Sequence, residues 1–413
     1  MKKTYIGIEE FIGKKNGNVF FINENCIRGF TNKKIYIFGA GEDGQNVYKL
    51  LKKLNIEVEG YIDNGVAINE YRELNGIKIY NPYIIKNKKK FFIIIASRKY
   101  DREMVRQVHK MGYIARDDFG VWIFESMTLR EKIRWEIKSP FDHSFIYTCI
   151  RRNAIDFIMG WLRSHRIIPF YKGYEKIDAL RNKYIGERCF ILCSGPSLIK
   201  DDIVKLSNEY TFGINSFFLV AKKINWKPTF YFTTHEPTIK EIFVDNKLSS
   251  SDICKKYMFA TDNCKSLSRY GELTLVPMLA LNPYYYSGFS PQVLRHSNDA
   301  LIGLYEYSCT TMMCIDLAMY MGFSKIYILG ADNDYLGDVS YTSEIEDYER
   351  KHAHKRDYRT FLDYRSAILQ MKANEVCYEY LNKIAKSKGI QIYNATRGGK
   401  LEVYPRVNLD EIL

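Results

Sequence analysis

Three short stretches of this chain carry residue types suited to holding anions, nucleotides or metal ions. The first is Ser194-Gly195-Pro196-Ser197, which separates the apolar run Phe190–Cys193 from Leu198-Ile-Lys-Asp-Asp-Ile-Val-Lys-Leu206. A strand, a small-residue turn and a helix start would aim free N–H groups at a phosphate. Gly195 lets the backbone come close, and Ser197 is placed to cap the helix. The same pattern also describes a plain β–α turn that binds nothing. The second stretch is Gly39, Gly41 and Gly44 after the strand-like Lys34–Phe38, with Asp63 closing the next run, Val58–Ile62. That spacing matches the dinucleotide-binding fingerprint: glycines for the tight turn and an acid for a ribose. The third is Asp332-Asn333-Asp334, the DxD spacing that can hold Mg²⁺ or Mn²⁺ against a diphosphate.

The elements around these stretches alternate in the way that builds parallel α/β sheets. Residues 1–32 read as a short lead-in with a strand pair near Val19–Ile22. Residues 33–125 read as a Rossmann-like βαβ domain, with a helix over Gln45–Leu54, a strand at Phe92–Ala96 and a helix over Glu103–Met111. Residues 126–185 are helical and basic, notably Leu129–Ile137 and Tyr147–His165. They suit a packed interdomain helix pair or, alternatively, a linker touching an acidic membrane surface.

Residues 186–413 read as a second α/β unit. Its strands are Tyr210–Asn215, Thr229–Thr234, Leu273–Met278, Lys325–Gly330 and Ile390–Tyr393. Asn215 and His235-Glu236-Pro237 fall at strand C-terminal ends, where open α/β sheets collect ligand groups. Thr310-Thr311 opens an apolar helix that Gly322 ends, and Tyr364–Lys388 reads as a long helix. The Tyr284–Ser290 stretch reads as a lid.

Composition narrows the classes. The chain has 413 residues, 46% of them hydrophobic, enough for two or three packed domains. A net charge of +13 favours anionic partners. No compact zinc, homeodomain or aromatic RNA-binding motif is present, so nucleic acid is not the expected partner. Nine cysteines lie scattered without CxxC pairs, and no secretory leader opens the chain. Free thiols in a cytoplasmic protein are therefore expected. No apolar run is long enough to span a bilayer, so membrane contact would be peripheral, at the inner face.

Two resemblances sharpen this reading. Phe38-Gly-Ala-Gly41, Tyr61-Ile-Asp-Asn64 and Ile95-Ala-Ser97 resemble the N-terminal nucleotide-binding domain of bacterial sugar acyltransferases and many polysaccharide-biosynthesis proteins. Ile191–Leu198, Phe212-Gly-Ile-Asn215 and the Thr310 helix leading through Gly322 to Asp332 resemble the bacterial CMP-sialic acid transferases. They are also similar to the flagellin nonulosonate transferases. That second resemblance covers about residues 186–345.

The resemblance implies a sialyltransferase-like GT-A variant fold in the second unit and a metal-independent, inverting sugar transfer with no cofactor. The donor would be a CMP-activated acidic sugar, and the acceptor a bacterial surface glycan or a lipid-linked one. Ser194, Gly195, Pro196 and Ser197 would hold the donor nucleotide, together with Asn215, Thr310, Thr311 and Asp332. Tyr335 and Tyr341 would stabilise the leaving phosphate, and His352 or His354 would act as base. An imidazole titrates near neutrality, which suits removal of an acceptor proton. Tyrosine hydroxyls and helix-end N–H groups suit a phosphate that gains charge. This chain departs from the family in having Thr310-Thr311 where the family has Ser-Gly, and Thr233-Thr234-His235 in place of an Asn-Pro-Ser turn. Two other readings remain: a pterin diphosphokinase using ATP and Mg²⁺, and a non-catalytic nucleotide-binding subunit of a polysaccharide assembly complex. Homo-oligomers fit any of the three.

Overall fold

The computed structural model describes residues 11–16, 18–85, 90–124, 155–281, 294–307, 309–336 and 364–413. Two open sheets carry the fold. The first is eight-stranded: β1 (Lys15–Asn16), β2 (Val19–Ile22), β3 (Lys34–Phe38), β4 (Val58–Ile62), β5 (Tyr71–Leu74), β6 (Ile77–Tyr80), β7 (Phe91–Ile95) and β8 (Phe119–Trp122). Their spatial order is β1-β2-β8-β7-β3-β4-β6-β5. Six central strands run parallel, and β1 and β5 pair antiparallel at the two edges. The central strands β3 and β7 are near-continuous apolar runs, as strands covered on both faces must be. The lead-in thus contributes two strands to the sheet of the first domain.

Helix α1 (Glu42–Lys53) follows β3, and α2 (Asp101–Lys110) follows β7. Helix α1 starts three residues earlier than the apolar periodicity suggests. Gly41 occupies its N-cap, and Glu42 and Asp43 sit in the first turn, where carboxylates favour the positive helix end.

Helix α3 (Asp156–Ser164) opens the described part of the basic helical stretch. The expected helix Leu129–Ile137 lies outside the described residues.

The second sheet has seven strands, all parallel: β9 (Arg188–Leu192), β10 (Tyr210–Ile214), β11 (Phe230–Thr233), β12 (Tyr257–Thr261), β13 (Thr274–Val276), β16 (Lys325–Leu329) and β17 (Gln391–Asn394), in the order β13-β12-β11-β10-β9-β16-β17. A separate parallel pair joins β14 (Met278–Leu281) to β15 (Leu304–Glu306). The single strand expected over Leu273–Met278 is therefore two strands in two sheets. Pro277 divides them, because it has no N–H to continue a ladder; its carbonyl accepts from Leu304 N at 2.9 Å.

Helices α4 (Lys200–Lys205), α5 (Thr310–Tyr320) and α6 (Tyr364–Ser387) complete the parts that matter for the site. Every residue of α5 is buried, so it is a core helix, apolar all round except for Thr310, Thr311 and Asp316. With 24 residues α6 spans about 36 Å, and its two halves belong to different cores. Tyr364, Ala367, Ile368 and Met371 pack with the first sheet. Ala373, Cys377, Tyr378, Leu381 and Ala385 pack with the second. Asp101 of α2 joins the two units: its Oδ2 accepts from Tyr364 N at 2.8 Å, so a side chain of one domain satisfies the first turn of the shared helix.

Candidate functional site

Strand order reverses in both sheets, and the two glycine-bearing turns fall where it does. In the second sheet the chain runs outward from β9 through β10, β11, β12 and β13, then returns to place β16 and β17 on the other side of β9. The loops that leave β9 and β16 therefore lie side by side at the C-terminal edge, which is where open α/β sheets bind ligands. The loop after β9 is Ser194–Ser197, and the loop after β16 is Gly330–Tyr335.

These two loops are closely joined. Gly195 N donates to Gly330 O at 3.0 Å. A Cβ on Gly195 would lie 2.1 Å from Asp332 Oδ2 and 2.3 Å from Gly330 O, so only glycine fits. Gly330 adopts φ +69, and its own Cβ would meet Cys193 O at 2.7 Å. Ser197 donates to Asp332 Oδ2 through its hydroxyl at 2.9 Å and its amide at 3.3 Å. This corrects the expectation that Ser197 caps the following helix. Helix α4 begins only at Lys200, with Ile199 at its N-cap and no capping side chain, and it is six residues long. The anion at this turn is thus supplied by the protein itself, as the Asp332 carboxylate.

The 330–335 loop is braced from three further directions. Lys400 N donates to Asp332 O at 2.7 Å, and Gly399, at φ +74, lets that segment approach. Lys400 Nζ pairs with Asp334 Oδ1 at 3.1 Å. Asn374, buried in α6, donates from Nδ2 to Asn333 Oδ1 at 2.9 Å and to the Tyr335 hydroxyl at 3.2 Å. Arg102 of the first domain donates to Tyr335 O. Sequence reasoning missed Asn374, although a signal was present: it is a polar residue three positions after Met371 and four before Tyr378 in the apolar stripe of α6.

The other predicted donor residues line the same edge. Asn215 follows β10 in the left-handed region, φ 47, a conformation that asparagine tolerates. Thr233 Oγ1 donates to its Oδ1 at 3.0 Å, and the Tyr231 hydroxyl donates to its carbonyl. Thr310 meets Thr234 hydroxyl to hydroxyl at 3.1 Å, and Thr311 lies 3.5 Å from Cys193 Sγ. Both threonines are buried. The start of α5 and the Ser194 turn are therefore neighbours. Tyr341, His352, His354 and the Tyr284–Ser290 stretch lie outside the described residues.

Burial raises the titration range of the Asp332 carboxyl, and the nearby Asp334 adds to this; the two bonds from Ser197 oppose it. An acid whose pKa rises on folding holds its proton more tightly in the folded state. Its contribution to stability then declines as pH climbs from the ordinary carboxylate range through the raised one. Asp332→Asn is expected to flatten that part of the pH–stability curve and to leave stability at neutral pH equal or higher. Denaturant midpoints measured from about pH 4 to pH 7 test this; a loss at neutral pH would mean that the Ser197 bonds outweigh burial.

As a metal pair, Asp332 and Asp334 are each committed elsewhere, to Ser197 and to Lys400. Among the described residues no group of three His, Cys, Asp or Glu side chains is placed to hold an ion.

In the first sheet the reversal falls between β3 and β7. Gly39 takes φ +104, and its Cβ would lie 3.0 Å from Ala96 O. A Cβ on Gly44 would come within 1.9 Å of Gly39 O, whereas one on Gly41 would meet nothing within 4 Å. Asp63 accepts from Ala40 N at 3.1 Å and from Gly65 N at 2.8 Å, bracing the glycine turn with both oxygens. Gly41 is thus the one of the three glycines whose Cβ would meet open space, while Gly39, Gly44 and Asp63 shape the turn around it.

Comparison with known proteins adds the following. Residues 31–117 match the family described as C2185-like, N-terminal. No curated protein matches the chain. Among solved structures, the MAf glycosyltransferase from Magnetospirillum magneticum AMB-1 aligns at 12% identity and a TM-score of 0.33, over 92% of this chain. The chain spans 58% of that protein's length. An alignment that loose carries no argument about function. No helix among the described residues is long and apolar enough to cross a membrane.

Proposed function

We propose that the second unit is a glycosyltransferase whose donor is a CMP-activated acidic sugar, passed to a bacterial surface glycan or lipid-linked acceptor. One observation carries this reading: the Ser194–Ser197 turn meets Asp332 at the strand-order reversal, with Asn215 and Thr310 on the same edge. A phosphate seated on the Ser197 amide would face the Asp332 carboxylate, and like charges repel. The turn therefore suits the hydroxyl-bearing part of a nucleotide, whose O–H groups a carboxylate accepts. The phosphate would lie further out, toward Tyr335 and Tyr341. His352 or His354 would then take the acceptor proton without a metal ion.

Cytidine monophosphate at about 1 mM is expected to protect the folded chain. A ligand present at 100 times its Kd contributes about 2.7 kcal/mol, which amounts to a rise of roughly 3 °C in melting temperature for a chain of 413 residues that unfolds as one unit. Uridine and adenosine nucleotides should give smaller shifts. No shift with any cytidine nucleotide would sink the reading. A shift only with ATP and Mg²⁺ would favour the pterin diphosphokinase, and one abolished by Gly41→Val would favour nucleotide sensing by the first domain.

A further inference from the structure

A second line of side chains suited to chemistry lies at the opposite edge of the same sheet from the Ser194 turn. Lys388 follows α6 and precedes β17, so it falls at the N-terminal edge of the seven parallel strands. Its Nζ is 3.1 Å from His296 Nε2. His296 Nδ1, the other ring nitrogen, is 3.0 Å from Asp316 Oδ1. Asp316 projects from the middle of the core helix α5 and its side chain is fully buried, while that of His296 is 7% exposed. An ammonium only donates, so Nε2 accepts and the ring proton belongs on Nδ1, toward the carboxylate. That contact has an ion-pair distance without a hydrogen bond: both atoms are buried, and neither has a hydrogen-bond partner among the described residues. The Asp316 carboxylate thus holds an attraction in reserve for a ring that becomes cationic. Around it, the Tyr307 hydroxyl reaches Asp316 Oδ2 at 3.0 Å. Burial, and then the Asp316 charge, raise the titration range of both Tyr307 and Tyr380. Lys388 itself is exposed, yet desolvation of its ammonium lowers its titration range against the opposing pull of Asp316.

We infer that Lys388 is an acyl-acceptor amine, modified by activated acyl thioesters with His296 as its base. A nucleophile, a base within hydrogen-bond reach and a third group that orients the base are the parts of an activated nucleophile. In the step, the Nζ lone pair of the neutral amine attacks the thioester carbonyl carbon. A C–N bond forms, and the C–S bond breaks with its electron pair leaving on sulfur. The proton lost by Nζ passes to His296 Nε2, where Asp316 stabilises the imidazolium, and from there to the thiolate. The surroundings select acyl transfer over imine formation. A lysine imine is still a base, so it keeps the charged form that desolvation opposes. An amide is neutral, and its remaining N–H still donates to Nε2. Asp316 meets only the ring and acts as a positioning residue.

The test is site-resolved mass spectrometry of the full chain incubated with acetyl-coenzyme A near neutral pH. Acetylation of Lys388 is expected to run at least about tenfold faster than that of the exposed Lys52 and Lys183, a modest part of the roughly 10²–10⁴ that a placed base supplies. Its rate should also level off at a lower pH than theirs. His296→Gln removes the base and should bring the Lys388 rate down to that of the two reference lysines. Asp316→Asn should slow the reaction and move its pH profile downward, because the carboxylate that favours the ammonium is gone. A merely structural loss would not move that profile, and an unmoved one would strike Asp316 from the assignment. If the variants melt early, the parent chain decides: equal rates at Lys388, Lys52 and Lys183 overturn the inference. So does a folded His296→Gln chain that acetylates Lys388 as fast as the parent.

Discussion

Alanine at position 195 is expected to lower the stability of the second unit by about 1–3 kcal/mol, the usual cost of forcing atoms into a packed site, and to abolish its response to cytidine nucleotide. The cause is space rather than backbone angle, because the added carbon would lie 2.1 Å from Asp332 Oδ2 and 2.3 Å from Gly330 O. Relief requires the two loops to part, which breaks the 3.0 Å bond from Gly195 N to Gly330 O and moves Asp332 off Ser197. Gly41→Ala is the matched control. Its Cβ meets nothing and its φ of −72 is open to alanine, so the cost should stay within about 1 kcal/mol, the usual difference between glycine and alanine at a helix N-cap. Urea midpoints for both variants, read with and without nucleotide, decide the matter. An unchanged midpoint and nucleotide response in Gly195→Ala would show that the loops are not held together as described.

Tyr364→Ala should have the largest effect on stability, about 3–5 kcal/mol, as for other buried aromatic truncations. The side chain is buried, its ring meets Phe21 edge-on at 5.5 Å, and the Arg102 guanidinium lies 4.7 Å from the ring centroid. The residue also sits where the first domain holds the end of α6, so its loss should do more than weaken one core. Calorimetry is expected to show one unfolding transition in the parent chain and two in the variant, as the units lose their shared element. Tyr364→Phe, which keeps the ring and the backbone bond to Asp101, should retain the single transition. A single transition at the parent midpoint in Tyr364→Ala would refute the coupling.

What the sequence made legible follows from the range of the forces involved. Strands such as Phe91–Ile95 and, after its exposed Lys325, Ile326–Leu329 announce themselves as unbroken apolar runs. Both glycine turns were readable because glycine spacing is local. The partner of Ser197 was not readable, since Asp332 lies 135 residues away and only the β9–β16 pairing brings it close. The same holds for the strand-order reversals, which depend on which strands neighbour β9 and β3. Pro277 was a local signal that should have divided Leu273–Met278. The double allegiance of α6 was half visible: its length was clear, but not that its first turns serve a sheet more than 200 residues earlier in the chain.

That double allegiance bears on how the chain can be divided. The first domain, ended near residue 125 as composition suggests, would lose the cover that Tyr364, Ile368 and Met371 give its sheet. Such a fragment should recruit a free peptide matching residues 364–387, so that two pieces reassemble what one chain encodes. For the same reason, a chain cut back to its amino-terminal half would present that sheet with one face stripped of its cover.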